Sequence, residues 1–199
     1  MNSKFFSAKN VAILGILVAL VVVLQLFASA IPMFGVTLNF SLIPIALAGI
    51  LLGVIGGTIV GFTCGLVVFI TMAVLGQEPS TAFLFQAQPI LLTLMCIGKT
   101  TAAGALCGLV FNLLKNRNVH VAVYVGSFII PVINTGIYML GIILMKDAAA
   151  DFLKLSVSSA GIVFSVVFAS IWLNFVLEIA INVILTPVVY RVVKIIKKD

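Results

Sequence analysis

Charge is what this sequence most lacks. Only 8% of its 199 residues are Asp, Glu, Lys or Arg, and just five of them are acids. A soluble domain carries roughly a quarter charged residues, so a water-soluble globule is excluded. A disordered tail and a coiled coil are excluded with it. Cysteine is equally sparse: Cys64, Cys96 and Cys107 are odd in number and lack metal-ligand spacing. No metal site is expected, and all three read as small buried apolar side chains.

Catalytic motifs are also missing. There is no Gly-x-x-x-x-Gly-Lys-Ser/Thr phosphate loop. Gly98-Lys99-Thr100 imitates its end, but Thr93 stands where the leading glycine belongs. The one histidine, His120, has no His or Cys neighbour in the sequence. No Gly-x-Ser-x-Gly, paired intramembrane aspartates, repeated filter or charged ring is present, which argues against a hydrolase, a protease and a channel. The chain reads as a non-enzyme without a cofactor.

What is present is hydrocarbon. Of all residues, 63% are hydrophobic. At about 20 apolar residues per span, five to seven transmembrane helices fit. The expected fold is an all-α integral membrane protein, a single domain over 1–199. Its six helices are expected at about 9–30, 40–53, 57–75, 89–114, 119–145 and 161–189. Ile31-Pro32-Met33-Phe34-Gly35 ends the first. The apolar stretch from Phe40 to Leu75 is too long for one span and short for two, so its break is expected at Gly53-Val54-Ile55-Gly56-Gly57. Polar loops are expected at 76–88 and 146–160. Ala28-Ser29-Ala30 resembles a signal-peptidase site, but Val11 to Phe27 exceeds a secretory apolar region and reads as a retained span.

Orientation follows from the cations. With the N-terminus in the cytoplasm, one side receives Lys4, Lys9, Lys115, Arg117, Arg191, Lys194, Lys197 and Lys198. The other receives only Lys146 and Lys154. That bias places both termini in the cytoplasm, and the basic tail needs no nucleic acid to explain it. No internal repeat is visible, so an inverted-repeat transporter is not supported.

Lys99 and Glu178 are the only charges inside the expected spans. Counted from the outer helix ends, Lys99 lies about 15 Å deep and Glu178 about 25 Å deep. A bare charge there costs several kcal/mol. Lys99 either neutralises an acidic ligand group, pairs structurally with Glu178, or snorkels to an interface. Asn174, Glu178 and Asn182 share one helix face. For Glu178 and Asn182 an interhelical hydrogen-bond stripe is the favoured reading; Asn174 is open between that and ligand contact. Pro131-Val132-Ile133-Asn134-Thr135-Gly136 supplies polar edges at mid-depth, either lining a cavity or simply kinking the helix. Tyr138 stands one turn beyond Asn134. Phe83, Phe85, Gln86 and Gln88 suit either a lid over a small polar molecule or an ordinary interfacial loop. Gly15-x-x-x-Ala19, Gly49-x-x-x-Gly53, Gly57-x-x-x-Gly61-x-x-x-Gly65 and Gly104-x-x-x-Gly108 allow close helix approach. Internal packing explains most of them, and the pair on the otherwise apolar first helix could equally dock a partner.

Six short-looped helices, the small pair Gly15/Ala19, and Asn39-Phe40-Ser41-Leu42-Ile43-Pro44 leading into Gly49-Ile50-Leu51-Leu52-Gly53 with Gly56-Gly57 resemble a known family. It is the substrate-binding S component of energy-coupling-factor (ECF) vitamin transporters, and the resemblance covers nearly the whole chain. Val54 departs from it, where many members have Pro after the glycine. Gly98-Lys99-Thr100 and Pro131 to Gly136 are most similar to members assigned to pantothenate.

The resemblance implies high-affinity capture of a vitamin from outside, in a bacterial plasma membrane. It implies delivery through a transmembrane coupling subunit and two cytoplasmic ATPases. Family members are thought to topple, carrying the occupied site inward. Lys99 would meet the pantothenate carboxylate, and Asn134, Asn174, Gln86 and Gln88 the hydroxyls and amide, with Asn39 and Tyr138 also in the site. Gly15 and Ala19 would dock the coupling subunit. The alternatives are an S component for riboflavin or folate, a self-sufficient proton-coupled carrier using Lys99 and Glu178, and a scaffolding membrane subunit.

Overall fold

The computed structural model describes residues 7–30, 39–156 and 159–196, and those residues are helical and strand-free. The helices are α1 (Ala8–Ala30), α2 (Leu42–Val68), α3 (Pro79–Ala87), α4 (Pro89–Leu114), α5 (Val119–Leu144), α6 (Lys146–Phe152) and α7 (Ala160–Ile196). A π-helical turn, Phe69–Val74, continues α2. Five of these stretches are long and apolar enough to cross a membrane. The break expected at Ile31 to Gly35 lies outside the described residues.

α2 is two helices meeting at one residue. Gly53 has φ 72° and ψ −160°, outside helical geometry. Such a φ strains any residue with a Cβ. The chain turns back on itself there: the Cβ direction of Gly57 comes within 3.1 Å of the Gly49 Cα, whereas eight residues of continuous helix would separate them by about 12 Å. The Ser41 hydroxyl likewise reaches the Cys64 sulfur at 3.3 Å. The break expected within Gly53 to Gly57 falls at Gly53, and only the start of the second helix, expected at 57, is corrected. The turn is a single residue and the second arm is helical from Val54, because one glycine at positive φ with extended ψ reverses the chain without a five-residue loop.

The first arm, Leu42–Leu52, rises only about 16 Å. It therefore starts at mid-depth rather than at an outer surface, and Asn39 lies inside the bundle. The second arm packs along α4 as closely as backbones allow. A Cβ on Gly57 would stand 2.2 Å from the Gly104 carbonyl oxygen, and one on Gly61 would stand 2.3 Å from that of Thr100. Gly65 meets Ile97 and Thr100, and Gly108 meets Gly53 and Val54. These glycine stripes are internal packing.

Two other expectations are corrected. The loops at 76–88 and 146–160 contain the short helices α3 and α6. Pro79 starts α3 with a preset φ, and Ala148, Ala149 and Ala150 bury against the bundle. The last helix continues through the basic tail to Ile196 rather than stopping near 189. Glu178 is the middle residue of this helix.

Both described chain ends lie at the same end of the bundle, since the Lys9 ammonium donates to the Ile196 carbonyl at 2.9 Å. His120 stacks on Tyr190 there, with centroids 4.1 Å apart. One apolar cluster, including Val21, Ile45, Val60, Cys107, Phe111, Ile130 and Val193, fills that half. A second, including Leu84, Leu92, Met95, Ile142, Met145, Ala149 and Val163, fills the opposite end beneath α3 and α6. Cys64, Cys96 and Cys107 are buried and free.

Gly104→Leu should destabilise the bundle by about 2 kcal/mol or more, because the neighbouring atoms are backbone and cannot rotate away. Gly98→Ala, on the same helix but facing open space, should be neutral or slightly stabilising. Thermal unfolding of both variants in one detergent checks the contrast.

Candidate functional site

Between the two clusters lies a cavity of about 160 Å³. Its polar lining comes from Gln25 on α1, Asn39 before α2, Glu78 before α3, Lys99 on α4, Asn134, Thr135 and Tyr138 on α5, and Asn174 and Glu178 on α7. Val68, Met72, Ile171 and Phe175 complete the wall. A second cavity of about 320 Å³ adjoins it and shares Glu78, Tyr138, Ile171 and Asn174. It is floored by Leu84, Ile142, Ala149, Phe152, Leu153 and Val167.

Local sequence explains how the lining converges. Asn134 and Tyr138 are one helical turn apart on α5, as are Asn174 and Glu178 on α7. Pro131 lies inside α5 a turn before Asn134, where its missing N–H leaves a carbonyl unbonded. The π-helical turn brings Met72 to the wall and leaves the Thr71 carbonyl to accept from Gln77 at 3.2 Å. Extra residues of this kind recur at functional sites. Across the top, Phe69 meets Phe85 edge-on at 5.3 Å, and Phe83 meets Phe152 at 5.5 Å. These contacts pin α3 over the bundle and hold Glu78, whose carboxylate accepts from the Ser80 hydroxyl at 2.6 Å and from Thr81.

Lys99 is half-buried and its ammonium lies 5.1 Å from the Tyr138 ring centroid, within cation–π range. Among the described residues no carboxylate lies within 4 Å of it; the ion pair found there is Lys146–Asp147 at the surface. The structural ion pair between Lys99 and Glu178 is therefore not formed, although both groups face the same cavity. Glu178 is 5% exposed. The Asn39 backbone N–H donates to its carboxylate, and the Asn174 amide donates to Oε1 at 3.4 Å. These two uncharged donors meet only part of the hydrogen bonding that the carboxylate loses on burial.

The expected interhelical stripe is corrected too. The Asn182 amide donates to the Glu178 backbone carbonyl at 2.9 Å, and Thr186 to the Asn182 carbonyl at 2.7 Å. These bonds return to α7 itself, because a side chain one turn below reaches its own helix more easily than a neighbour. Asn134, only 6% exposed, has no partner for Oδ1, and neither has Asn174. An unmet buried acceptor costs about 1–3 kcal/mol.

Of the residues expected to bind substrate, Lys99, Asn134, Tyr138, Asn174 and Asn39 share this cavity. Gln86 and Gln88 do not line it. Gln86 is exposed on α3 and Gln88 is the residue between α3 and α4, because helix formation turns the amides away from the interior. Gln25 was missed. It is 4% exposed and accepts from the Ser41 hydroxyl at 2.9 Å, and Ser41 also donates to Asn39. The signal was available: Gln25 is the one amide in the run Val11 to Phe27. Gly15 and Ala19 sit on the exposed face of α1, and a Cβ on Gly15 would meet open space.

The sequence family described as "ECF transporter, substrate-specific component" matches residues 9–190. No curated protein and no solved structure matches the chain.

Because no ion pair is broken, Lys99→Met should leave the thermal midpoint close to that of the wild type. A large loss of stability, measured without ligand, would mean that attraction to Glu178 across the cavity is structural.

Proposed function

The chain belongs to the substrate-specific components of ECF transporters, and from that premise we propose that it captures pantothenate in the cavity around Lys99. Components of this family are membrane subunits of transporters, not enzymes. The observation that carries the proposal is the placement of Lys99: a cation at membrane depth, faced by an aromatic ring and a cavity, with no carboxylate among the described residues in ion-pair contact. A ligand carboxylate would complete its pairing. Asn134 and Asn174, each with an unmet amide oxygen, would accept from the hydroxyls and amide of the same ligand. Asn39 would complete the polar wall. The Tyr138 ring would pack against the aliphatic part.

Other vitamins fit less well. Riboflavin favours a broad aromatic pocket, yet Trp172 is half exposed and away from the cavity lining. Folate brings two carboxylates, and Lys99 is the one cation among the lining residues. A carrier built on a direct Lys99–Glu178 pair lacks the pair.

We place six crossings in a bacterial cell membrane with both termini in the cytoplasm. Five long helices alone would leave the chain ends on opposite faces. The reversal at Gly53 adds a crossing, and the bond from Lys9 to Ile196 fits the resulting even number. The excess of Lys and Arg at that end supports its cytoplasmic location. The cavity then opens toward the exterior. Transport is completed by a transmembrane coupling subunit, which docks on the small-residue face of α1 at Gly15 and Ala19, and by two cytoplasmic ATPases.

The test separates capture from coupling. Calorimetry of the purified protein with pantothenate should give saturable binding that Lys99→Met weakens at least about a hundredfold, the loss of a buried charge pair. Gly15→Leu should leave that binding unchanged while preventing co-purification with the coupling module. Saturable binding of riboflavin or folate but not of pantothenate would reject the vitamin assignment.

A further inference from the structure

Acceptor oxygens without a protein donor gather on the cavity wall around Glu178. The Asn134 and Asn174 amide oxygens are buried with no partner. When ionised, Glu178 is an acceptor-only group with about four lone-pair positions, and the protein supplies it with the Asn39 N–H and the long Asn174 contact. Its neighbour below, Asn182, spends its amide on the α7 backbone. The Glu178 side chain thus links α7 to the start of α2 through the Asn39 N–H, and the rest of its acceptor capacity is not taken up by another helix. It faces the cavity wall shared with Asn134, which is itself more than nine-tenths buried.

We propose that Glu178, Asn174 and Asn134 form an acceptor subsite of the ligand site, which takes O–H or N–H donors from a part of the ligand other than the one Lys99 receives. The inference rests on reading the cavity as a ligand site and deepens it. The captured molecule is two-ended, with an acidic group for Lys99 and a donor-bearing group for Glu178. Charge sharpens this. The lining carries one ammonium against the carboxylates of Glu78 and Glu178, and Glu78 is occupied by Ser80 and Thr81 in its own turn. A ligand that brought only negative charge would leave Glu178 facing an anion. Donor hydrogens beside Glu178 relieve that, whether they belong to a neutral hydroxyl or amide or to a cationic nitrogen.

The experiment measures affinity in nanodiscs for three probes. These are pantothenate, panthenol (the same hydroxyls and amide without the carboxylate) and thiamine (a cation with an amino group). Wild-type protein, Glu178→Ala, Glu178→Gln and Lys99→Met are compared, each with its thermal midpoint. Glu178→Ala should weaken pantothenate and panthenol by the same factor, at least about tenfold, whereas Lys99→Met should abolish the preference for pantothenate over panthenol. Glu178→Gln keeps an acceptor oxygen and removes the charge. It should be mild for hydroxyl donors and as severe as Glu178→Ala if thiamine is the probe that binds, which identifies the donor as a cationic nitrogen. Should Glu178→Ala misfold, Glu178→Met, which fills the same space without an acceptor oxygen, takes its place, and a folded Glu178→Met protein with unchanged affinity for every bound probe overturns the subsite. A folded Glu178→Ala that binds pantothenate like the wild type also overturns it while leaving capture at Lys99 intact. Wild-type protein that binds none of the three probes overturns the vitamin reading and this inference together.

Discussion

An ammonium and a carboxylate cannot face lipid hydrocarbon, and this constraint organises the molecule. Lys99 on α4 and Glu178 at the midpoint of α7 each need a polar surrounding at membrane depth. They obtain it in one cavity, without touching each other. Lys99 lies against Tyr138. Glu178 is met by the Asn39 backbone and the Asn174 amide. Keeping the charges apart maintains an open polar space, whereas a direct pair would have closed it.

That space exists because backbone contact elsewhere is so close. Gly57 and Gly104 bring the second arm of α2 against α4 with no side chain between them. This fixes the height and rotation of α4, and hence of Lys99, on a rigid surface rather than on a loop. Gly53 acts at the other end of the same device. By reversing the chain within one residue it makes the first arm short, and a short arm starts at mid-depth. Asn39 can then deliver a backbone N–H to Glu178. A longer first arm would have carried Asn39 up toward the membrane surface and left the carboxylate unsupported.

The roof obeys a different rule. α3 and α6 are too short to be stable alone and are held by Phe69–Phe85 and Phe83–Phe152 contacts. Elements secured by a few aromatic contacts open more readily than the core. Burial of Leu84 and of Ala148, Ala149 and Ala150 adds an apolar seat beneath the two short helices.

Much of this was legible in the sequence because a bilayer permits few solutions. Apolar run lengths, the glycine stripes and the isolation of Lys99 follow from hydrophobicity and spacing along one chain, and five of the seven residues expected to contact ligand stand together on the cavity wall. What the sequence alone did not determine depends on which groups meet across helices. Run length does not reveal that one glycine reverses a helix, nor that the short arm this creates brings the Asn39 backbone to Glu178. A periodic face does not distinguish an amide bonded to its own helix from one bonded to a neighbour, so Asn182 and Glu178 read alike. A polar loop does not disclose that it coils into a helix, so Gln86 and Gln88 read as lining while Gln25, hidden in the greasiest segment, was passed over. Those choices belong to tertiary structure, since each depends on distances between residues that the chain itself holds far apart.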